Sequence, residues 1–183
     1  MPLRRSIRWR SLEHGGLEQC RINEWDDSIK LRSAIVSQSG DTRHGVFYEV
    51  SLKPDWTFEA ALLQRTDGVM SVLRRGNDGA WFDMHAEDLP ELSGCIDIDF
   101  EMTPFTNTLP IRRAPLAIGE SRRFRMAYIP ADTMEPFADE QIYTRVSEHV
   151  YRFEEADGSF SADITVDDDG FVVDYPGLFE RVE

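Results

Sequence analysis

Cysteine is scarce in this 183-residue chain, and the two that occur leave little room for a disulfide framework or a structural metal centre. Cys20 and Cys95 form no CxxC pair and lack metal-ligand spacing, so they indicate two reduced thiols, with a single bridge as the alternative. No apolar run approaches the roughly 20 residues of a membrane helix, which argues against stable membrane insertion. The start, "MPLRRSIRWRSLEHGG", has no apolar segment after its arginines and predicts no export signal. We expect a cytoplasmic protein.

Basic residues are also few relative to acidic ones. The chain has 20 lysines and arginines against 34 aspartates and glutamates, a net charge of −14. Such a field repels the phosphates of nucleic acids and of anionic membranes, so neither partner is expected. Arginines cluster within residues 4–10 and 112–125, where they suit salt bridges on solvated strands or, alternatively, one anionic group. The length predicts a single domain over residues 1–183.

The familiar signatures of catalysis and cofactor binding are missing, including GxSxG, HExxH and Gly-rich phosphate loops. The histidines show no metal-ligand pattern and are interpreted as surface or locally hydrogen-bonded residues; they are His14, His44, His85 and His149. The run "VDDDGF" lacks the alternate ligands and the final Glu of an EF-hand loop, so it predicts a hairpin turn. We therefore expect no cofactor, no metal site and no catalytic residue.

The chain does contain many short runs in which apolar and polar residues alternate, the period of strands buried on one face. Every second residue from Val46 to Leu52 is expected to face a core, and so is every second residue from Trp56 to Leu62. Further strands are predicted in "VMSVLRR", "AWFDM", "RFRMAY", "SFSADITV" and "FVVDY", with turns such as "RGNDGA" between them. This spacing indicates an all-β sandwich, roll or barrel.

Two segments are harder to interpret. "QIYTRVSEHVYRF", residues 141–153, fits an apolar helical stripe, but its β-branched and aromatic content favours a hairpin that turns near residues 147–148. "PADTMEPFADEQ", residues 130–141, is rich in Pro and Asp and predicts a surface loop that could act as a lid.

The stretch "CIDIDFEMTPFTNTLPIRR", residues 95–113, contains the main candidates for chemistry. On an extended strand, Asp97 and Asp99 would project from one face about 6.6 Å apart. That separation is near the low end for inverting glycosidases, so one hypothesis is a sugar or lipid hydrolase that uses this pair. The plainer interpretation gives the apolar residues of 96–102 to the core, and the acids to solvent or to Arg112 and Arg113.

The residues that follow this strand, 103–110, predict a stiff turn, because prolines fix φ and hydroxyl and amide groups bond nearby backbone. Alternatively, Thr106 and Asn107 supply donors and acceptors for sugar hydroxyls at the mouth of a cavity. Aromatic residues such as Trp56 and Trp81 are expected mostly to fill a core. A large curved sheet can nevertheless leave an apolar pocket of the kind that ligands use.

The stretches "GCIDIDFEMTPFTNTLPIRR" and "ITVDDDGFVVDYPGLFERV" resemble a bacterial family labelled "putative glycolipid-binding". The segments "GVFYEVSLKPDWTFEAALLQR" and "EQIYTRVSEHVYRF" extend the resemblance over most of residues 8–182. It implies a single all-β domain with a strongly curved antiparallel sheet, a roll or incomplete barrel with a hydrophobic cavity. This shape is similar to that of the carriers that shield lipoprotein acyl chains. Those carriers act outside the cytoplasm, whereas this N-terminus predicts no export signal.

The leading hypothesis is therefore non-catalytic binding of an amphiphile such as a glycolipid, with its acyl part in the cavity and its head group near Thr106, Asn107 and Arg112. Burying acyl methylenes contributes about 0.8 kcal/mol each, enough for useful affinity without bond chemistry. A protein-interaction domain that uses a sheet edge is a third hypothesis, and the oligomeric state stays open. The candidate ligand-binding residues are Asp97, Asp99, Thr106, Asn107, Arg112, Arg113, Trp56, Trp81, Tyr143 and Tyr175.

Overall fold

A computed structural model describes residues 3–13, 15–39 and 42–183, and fourteen strands in these ranges form one sheet. The strands are β1 Leu3–Ser11, β2 Leu17–Glu24, β3 Ile29–Ser39, β4 Thr42–Leu52, β5 Phe58–Arg65, β6 Met70–Arg75, β7 Trp81–Phe82, β8 Asp97–Phe100, β9 Ser121–Ile129, β10 Phe137–Arg145, β11 Val150–Glu155, β12 Ser161–Val166, β13 Val172–Tyr175 and β14 Phe179–Val182. Two 3₁₀ helices lie at Pro90–Leu92 and Pro104–Asn107, and one short helix, α1, spans Thr108–Arg113.

The sheet is open, with β7 and β8 as its two edges. Its strand order is 7-6-5-4-3-2-1-14-13-12-11-10-9-8. Neighbouring strands are antiparallel except for β8 and β9, which run parallel. The sheet is strongly curved and does not close into a barrel. The prediction of an all-β, curved antiparallel sheet or incomplete barrel is confirmed.

The curl of the sheet places β9 between two hydrophobic clusters. Phe124 and Met126 pack in a hydrophobic cluster with residues of β10–β14. Ala127 and Ile129 point the other way and pack in a second cluster with residues of β1–β7. Both faces of the second half of this strand, residues 126–129, are therefore covered, and burying each large apolar side chain stabilises the fold by about 1.5–3 kcal/mol.

The segment after β8 fills part of the interior. Thr103 begins it, since its Oγ1 accepts a hydrogen bond from the backbone N–H of Phe105 at 3.1 Å. Pro104 occupies the first helical position, where a backbone N–H would have no partner within the helix, so the lack of one costs nothing. Phe105 and Leu109 have no exposed surface. The prediction of a turn over residues 103–110 was wrong, because capping and burial make this segment helical.

The two strands with the clearest alternation differ in outcome. Every second residue of β4 from Val46 to Leu52 is buried, as predicted. In the second pattern, Trp56 and Phe58 are buried as predicted, but beyond Phe58 it is Ala61 and Leu63 that face the core, one residue out of phase with the prediction. The pairing of β4 with β5 shifts at Leu52, and such an irregularity exchanges the two faces of a strand. Trp56 precedes β5 with a φ of 67° and is not part of a strand.

The segment 141–153 forms a hairpin in which β10 and β11 pair antiparallel, which confirms the favoured interpretation. The surface loop predicted over 130–141 is shorter, because β10 begins at Phe137 and pairs with β9. The second half of the predicted lid is therefore fixed in the sheet. The acidic run after β12 forms the predicted turn, in which Asp167 Oδ1 accepts from the backbone N–H groups of Asp169 and Phe171 at 3.0 and 2.9 Å.

Cys20 and Cys95 are buried free thiols, as expected. His149 Nε2 lies 2.8 Å from Asp168 Oδ1, which agrees with a locally hydrogen-bonded histidine, while His14 lies outside the described residues. Within the described ranges, no three His, Cys, Asp or Glu side chains form a group that could hold a metal ion. In the same ranges the structure has no helix of the length and apolarity needed to cross a membrane.

Candidate functional site

A groove of about 310 Å³ opens beside β8, β11, β13 and β14. Four of its aromatic rings are in contact with one another; they belong to Phe153, Phe160, Tyr175 and Phe179. The centroids of neighbouring rings lie 6.0 to 6.4 Å apart in tilted arrangements, a geometry that stabilises aromatic pairs. We call this the aromatic groove. Its volume is at the lower end of the range for small-molecule sites, and its other lining residues are Ser11, Glu13, Asp99, Phe100, Glu101, Thr103, Asn107, Tyr128, Glu155 and Leu178.

Asp99 is held in the aromatic groove by two side-chain donors. Thr106 Oγ1 donates to Asp99 Oδ1 at 2.7 Å, and Gln141 Nε2 donates to Asp99 Oδ2 at 2.5 Å. Burial raises the pKa of Asp99 while these two hydrogen bonds oppose the rise, and the charges of Asp139 and Glu101 raise it further. Asp99 is therefore a fixed hydrogen-bond acceptor whose nearest partners are neutral.

Glu155 is a second, partly buried acid of the aromatic groove. It lies at the end of β11, directly opposite Gln141 on β10. Burial, a hydrogen bond and charge repulsion from Asp139, and repulsion from Asp99 and Asp157 raise the pKa of Glu155 to about 7. Carboxyl groups that interact this closely titrate as a pair. The groove therefore changes its charge near neutral pH.

Gln141 lies among these acids with a completely buried side chain. Its Nε2 is committed to Asp99, and its Oε1 is buried without a hydrogen-bond partner among the described residues. Leaving a buried acceptor unpaired costs about 1–3 kcal/mol. Gln141 does not itself line the groove, so it acts from behind by holding Asp99 in place.

Asp97 does not line the aromatic groove, although it projects from the same face of β8 as Asp99. Its side chain is 1% exposed, and Arg113 bonds both its oxygens through Nε and Nη2 at 2.5 to 3.1 Å. Burial raises the pKa of Asp97, and the guanidinium opposes that rise. The expectation of an exposed acidic face was wrong, but the alternative of pairing with an arginine is confirmed for Arg113. A buried, paired Asp97 cannot flank a sugar together with Asp99.

Arg112 and Trp56 contact each other away from the aromatic groove. The guanidinium carbon of Arg112 lies 4.1 Å from the Trp56 ring centroid, and Nη1 donates to the backbone oxygen of Asp169 at 2.7 Å. The structure therefore does not bring Arg112 together with Thr106 and Asn107 as the head-group hypothesis expected. Asn107 lines the aromatic groove, and Thr106 is fully buried beside Asp99.

The remaining predicted residues have distinct places. Tyr175 lines the aromatic groove, and Tyr143 is buried, where its hydroxyl oxygen accepts from Asn107 Nδ2 at 2.8 Å. Trp81 is buried on β7 and donates its Nε1–H to the backbone oxygen of Cys95 at 3.0 Å. Trp81 therefore belongs to the core, where it ties one edge strand to the segment that leads into the other.

Sequence reasoning missed most of the aromatic wall and the second acid. Glu155 follows Tyr151 and Phe153 at the same alternation, so the signal was an acid at an inward-facing position of an apolar strand. Glu18 carries the same signal on β2, where it alternates with Cys20 and is 3% exposed. The acidic run thus contributed Asp99 and Glu101 to the groove, and an inward acid on an apolar strand contributed Glu155.

Glu18 forms a buried polar centre beside the aromatic groove. Its Oε1 accepts from Ser33 Oγ at 2.6 Å and from the Tyr48 hydroxyl at 2.5 Å. The Tyr48 hydroxyl also lies 3.2 Å from Oγ1 of Thr103, which lines the groove. Burial raises the pKa of Glu18. These contacts hold the Thr103 side chain in place from the side that faces away from the groove.

An open, curled sheet with an aromatic and acidic groove defines an all-β protein of the incomplete-barrel class. Within that class, the chain belongs to the family described as "Putative glycolipid-binding", whose profile matches residues 6–181. It is similar to the crystal structure of a DUF1089 family protein from Pseudomonas aeruginosa, with 34% identity and a TM-score of 0.81 over 90% of this chain and 92% of that chain. No curated protein matches the sequence.

Proposed function

We propose that this protein binds a glycolipid without converting it, and that the sugar head group occupies the aromatic groove. The observation that carries the proposal is the juxtaposition of connected rings with carboxylates in one concave site. Ring faces pack against the C–H faces of a sugar, and the carboxylates of Asp99 and Glu155 accept hydrogen bonds from its hydroxyls. The family's description supports the same class of ligand.

The rim of the groove offers apolar surface for the lipid tail. Phe160 is 37% exposed there, and Leu178 lies beside it. The backbone N–H of Leu12 donates to Leu178 O at 2.8 Å, and the Leu12 side chain is 46% exposed. Covering about four methylenes on this surface would contribute roughly 3 kcal/mol, about a hundredfold in affinity. We therefore assign the head group to the groove and the tail to its rim, which reverses the arrangement expected from the sequence.

The hydrolase hypothesis has no comparable support, because its mechanism needs two carboxylates that both reach the substrate. Asp99 lines the groove, but Asp97 is sealed by Arg113. The groove is thus proposed as a binding site, with hydrogen-bond acceptors that recognise hydroxyls.

Calorimetric titration with octyl β-D-glucopyranoside, below the concentration at which it forms micelles, tests this function. We expect saturable 1:1 binding that Phe160→Ala weakens about fivefold, since a ring contact contributes about 1 kcal/mol. Phe47→Ala is the matched control, because Phe47 is similarly exposed but does not line the groove. Absence of saturable binding, or equal losses in the two variants, contradicts the proposal.

A further inference from the structure

The charges of the aromatic groove are all of one sign. Among the described residues that line it, Glu13, Asp99, Glu101 and Glu155 are acidic, and none is Lys, Arg or His. A protonated amine would be attracted both by these carboxylates and by the faces of the surrounding aromatic rings.

Two acids of the groove, Asp99 and Glu101, accept hydrogen bonds from neutral groups. Asp99 accepts from Thr106 and Gln141, and Glu101 Oε2 accepts from the backbone N–H of Ala131 at 2.6 Å. Asp97, two residues earlier on β8, instead pairs directly with the Arg113 guanidinium. The same strand thus carries one carboxylate with a counter-charge and another with neutral donors.

Gln141 adds an observation of a different kind, because its fully buried Oε1 has no donor among the described residues. Its Nε2 is held by Asp99, so a flipped amide would turn an oxygen toward a carboxylate. The unpaired oxygen therefore lies beside two groove-lining acids, Asp99 and its cross-strand neighbour Glu155. Gln141 itself does not line the groove, so the acceptors that a ligand with N–H donors reaches there are the carboxylates.

From the carboxylate acceptors, their single sign of charge and the aromatic wall, we infer that the groove selects a glycolipid whose head group carries a protonated primary amine, as an amino sugar does. This inference rests on the proposed function and names the class of head group. A primary ammonium fits better than a quaternary one, because only the former donates hydrogen bonds to the acids.

Three octyl glycosides with the same tail test the inference in calorimetric titrations at pH 7.5. They are octyl β-D-glucopyranoside, its 2-amino-2-deoxy analogue and octyl β-D-glucuronide. We expect the amine to bind at least about tenfold more tightly than the neutral glycoside, and the glucuronide to bind most weakly. Glu155→Gln should remove most of the amine's advantage.

Glu154→Gln is the matched control, because Glu154 is the neighbouring residue on β11 and pairs with Ile142, so it faces the other side of the sheet. It removes the same charge from a protein of net charge −14, so it separates local recognition from general attraction of cations. Equal affinity for amine and neutral glycoside, preference for the glucuronide, or equal effects of the two variants overturns the inference and leaves the proposed function intact. If none of the three glycosides binds, both fail.

Discussion

Replacement of Glu155 by Gln tests the electrostatics of the aromatic groove in the absence of any ligand. The pKa of Glu155 rises from an ordinary 4.5 to about 7, first through burial and then through Asp139 on β10, Asp99 on β8 and Asp157 in the turn after β11. Below pH 4.5 the group is protonated in both folded and unfolded chains. As the pH rises toward 7, the unfolded chain loses this proton first, so the folded state loses stability.

The size of this loss follows from the shift. A change of about 2.5 pKa units corresponds to roughly 3 kcal/mol, since each unit is worth 1.36 kcal/mol. Glu155 is only partly buried, and solvent screening reduces the effect to about 1–2 kcal/mol. Gln does not titrate, so the variant escapes this loss. The stability difference between Glu155→Gln and the unmodified protein should therefore be about 1–2 kcal/mol more favourable to the variant at pH 8 than at pH 5.

Urea unfolding at pH 5 and pH 8, followed by tryptophan fluorescence, measures this difference. Trp9, Trp56 and Trp81 are buried, so unfolding changes their environment. Glu154→Gln is the control, because it removes the same charge from the opposite face of β11, outside the groove. If Glu155→Gln shifts stability by the same amount at pH 5 and pH 8, the reasoning about Glu155 and its acidic neighbours is refuted.

Two further changes test the interior. Asp97→Asn leaves Arg113 without its counter-charge and should lower the free energy of unfolding, measured in urea, by about 3–5 kcal/mol. The double variant Asp97→Asn with Arg113→Met should recover most of this loss. A double variant as unstable as the single one would contradict this. Leu109→Ala removes a fully buried side chain from α1 and should cost about 2–5 kcal/mol in the same assay; a loss below about 1 kcal/mol would mean that α1 is not part of the core.

The strands of this protein were predictable because most of them keep a strict alternation. β4 follows directly from apolar residues at every second position, and the hairpin of β10 and β11 follows from the β-branched and aromatic content of residues 141–153. The phase of β5 was not predictable, because the shift at Leu52 arises in its pairing with β4 and not in either strand alone. A local pattern shows that a strand exists, but its inward face depends on the neighbour.

The helical segment after β8 was missed for a different reason. Its prolines suggested a turn, yet Pro104 and Pro110 both lie near helix starts, where proline is tolerated. What makes the segment helical is the burial of Phe105 and Leu109 between the two parts of the sheet. That burial depends on the curl of the whole sheet, which no stretch of this length encodes.

The candidate site was predicted only where it coincides with the family motifs. Asp99, Asn107 and Tyr175 line the aromatic groove and lie in those motifs. Phe153 and Glu155 lie far from them in the sequence and reach the groove only because the sheet curls until β8 approaches β11. Contacts of that range have no local signature, although an acid at an inward position of an apolar strand gives a hint.

The way in which the sheet curls also determines what a ligand can find. A carrier that hides a whole acyl chain needs an empty apolar interior, but here the back of β9, Phe105 and Leu109 take up that space. What stays open is the region where Asp99 and Glu155 interrupt the apolar faces of their strands. Because buried carboxylates favour polar partners over methylenes, affinity in this protein should depend more on the head group of the amphiphile than on the length of its tail.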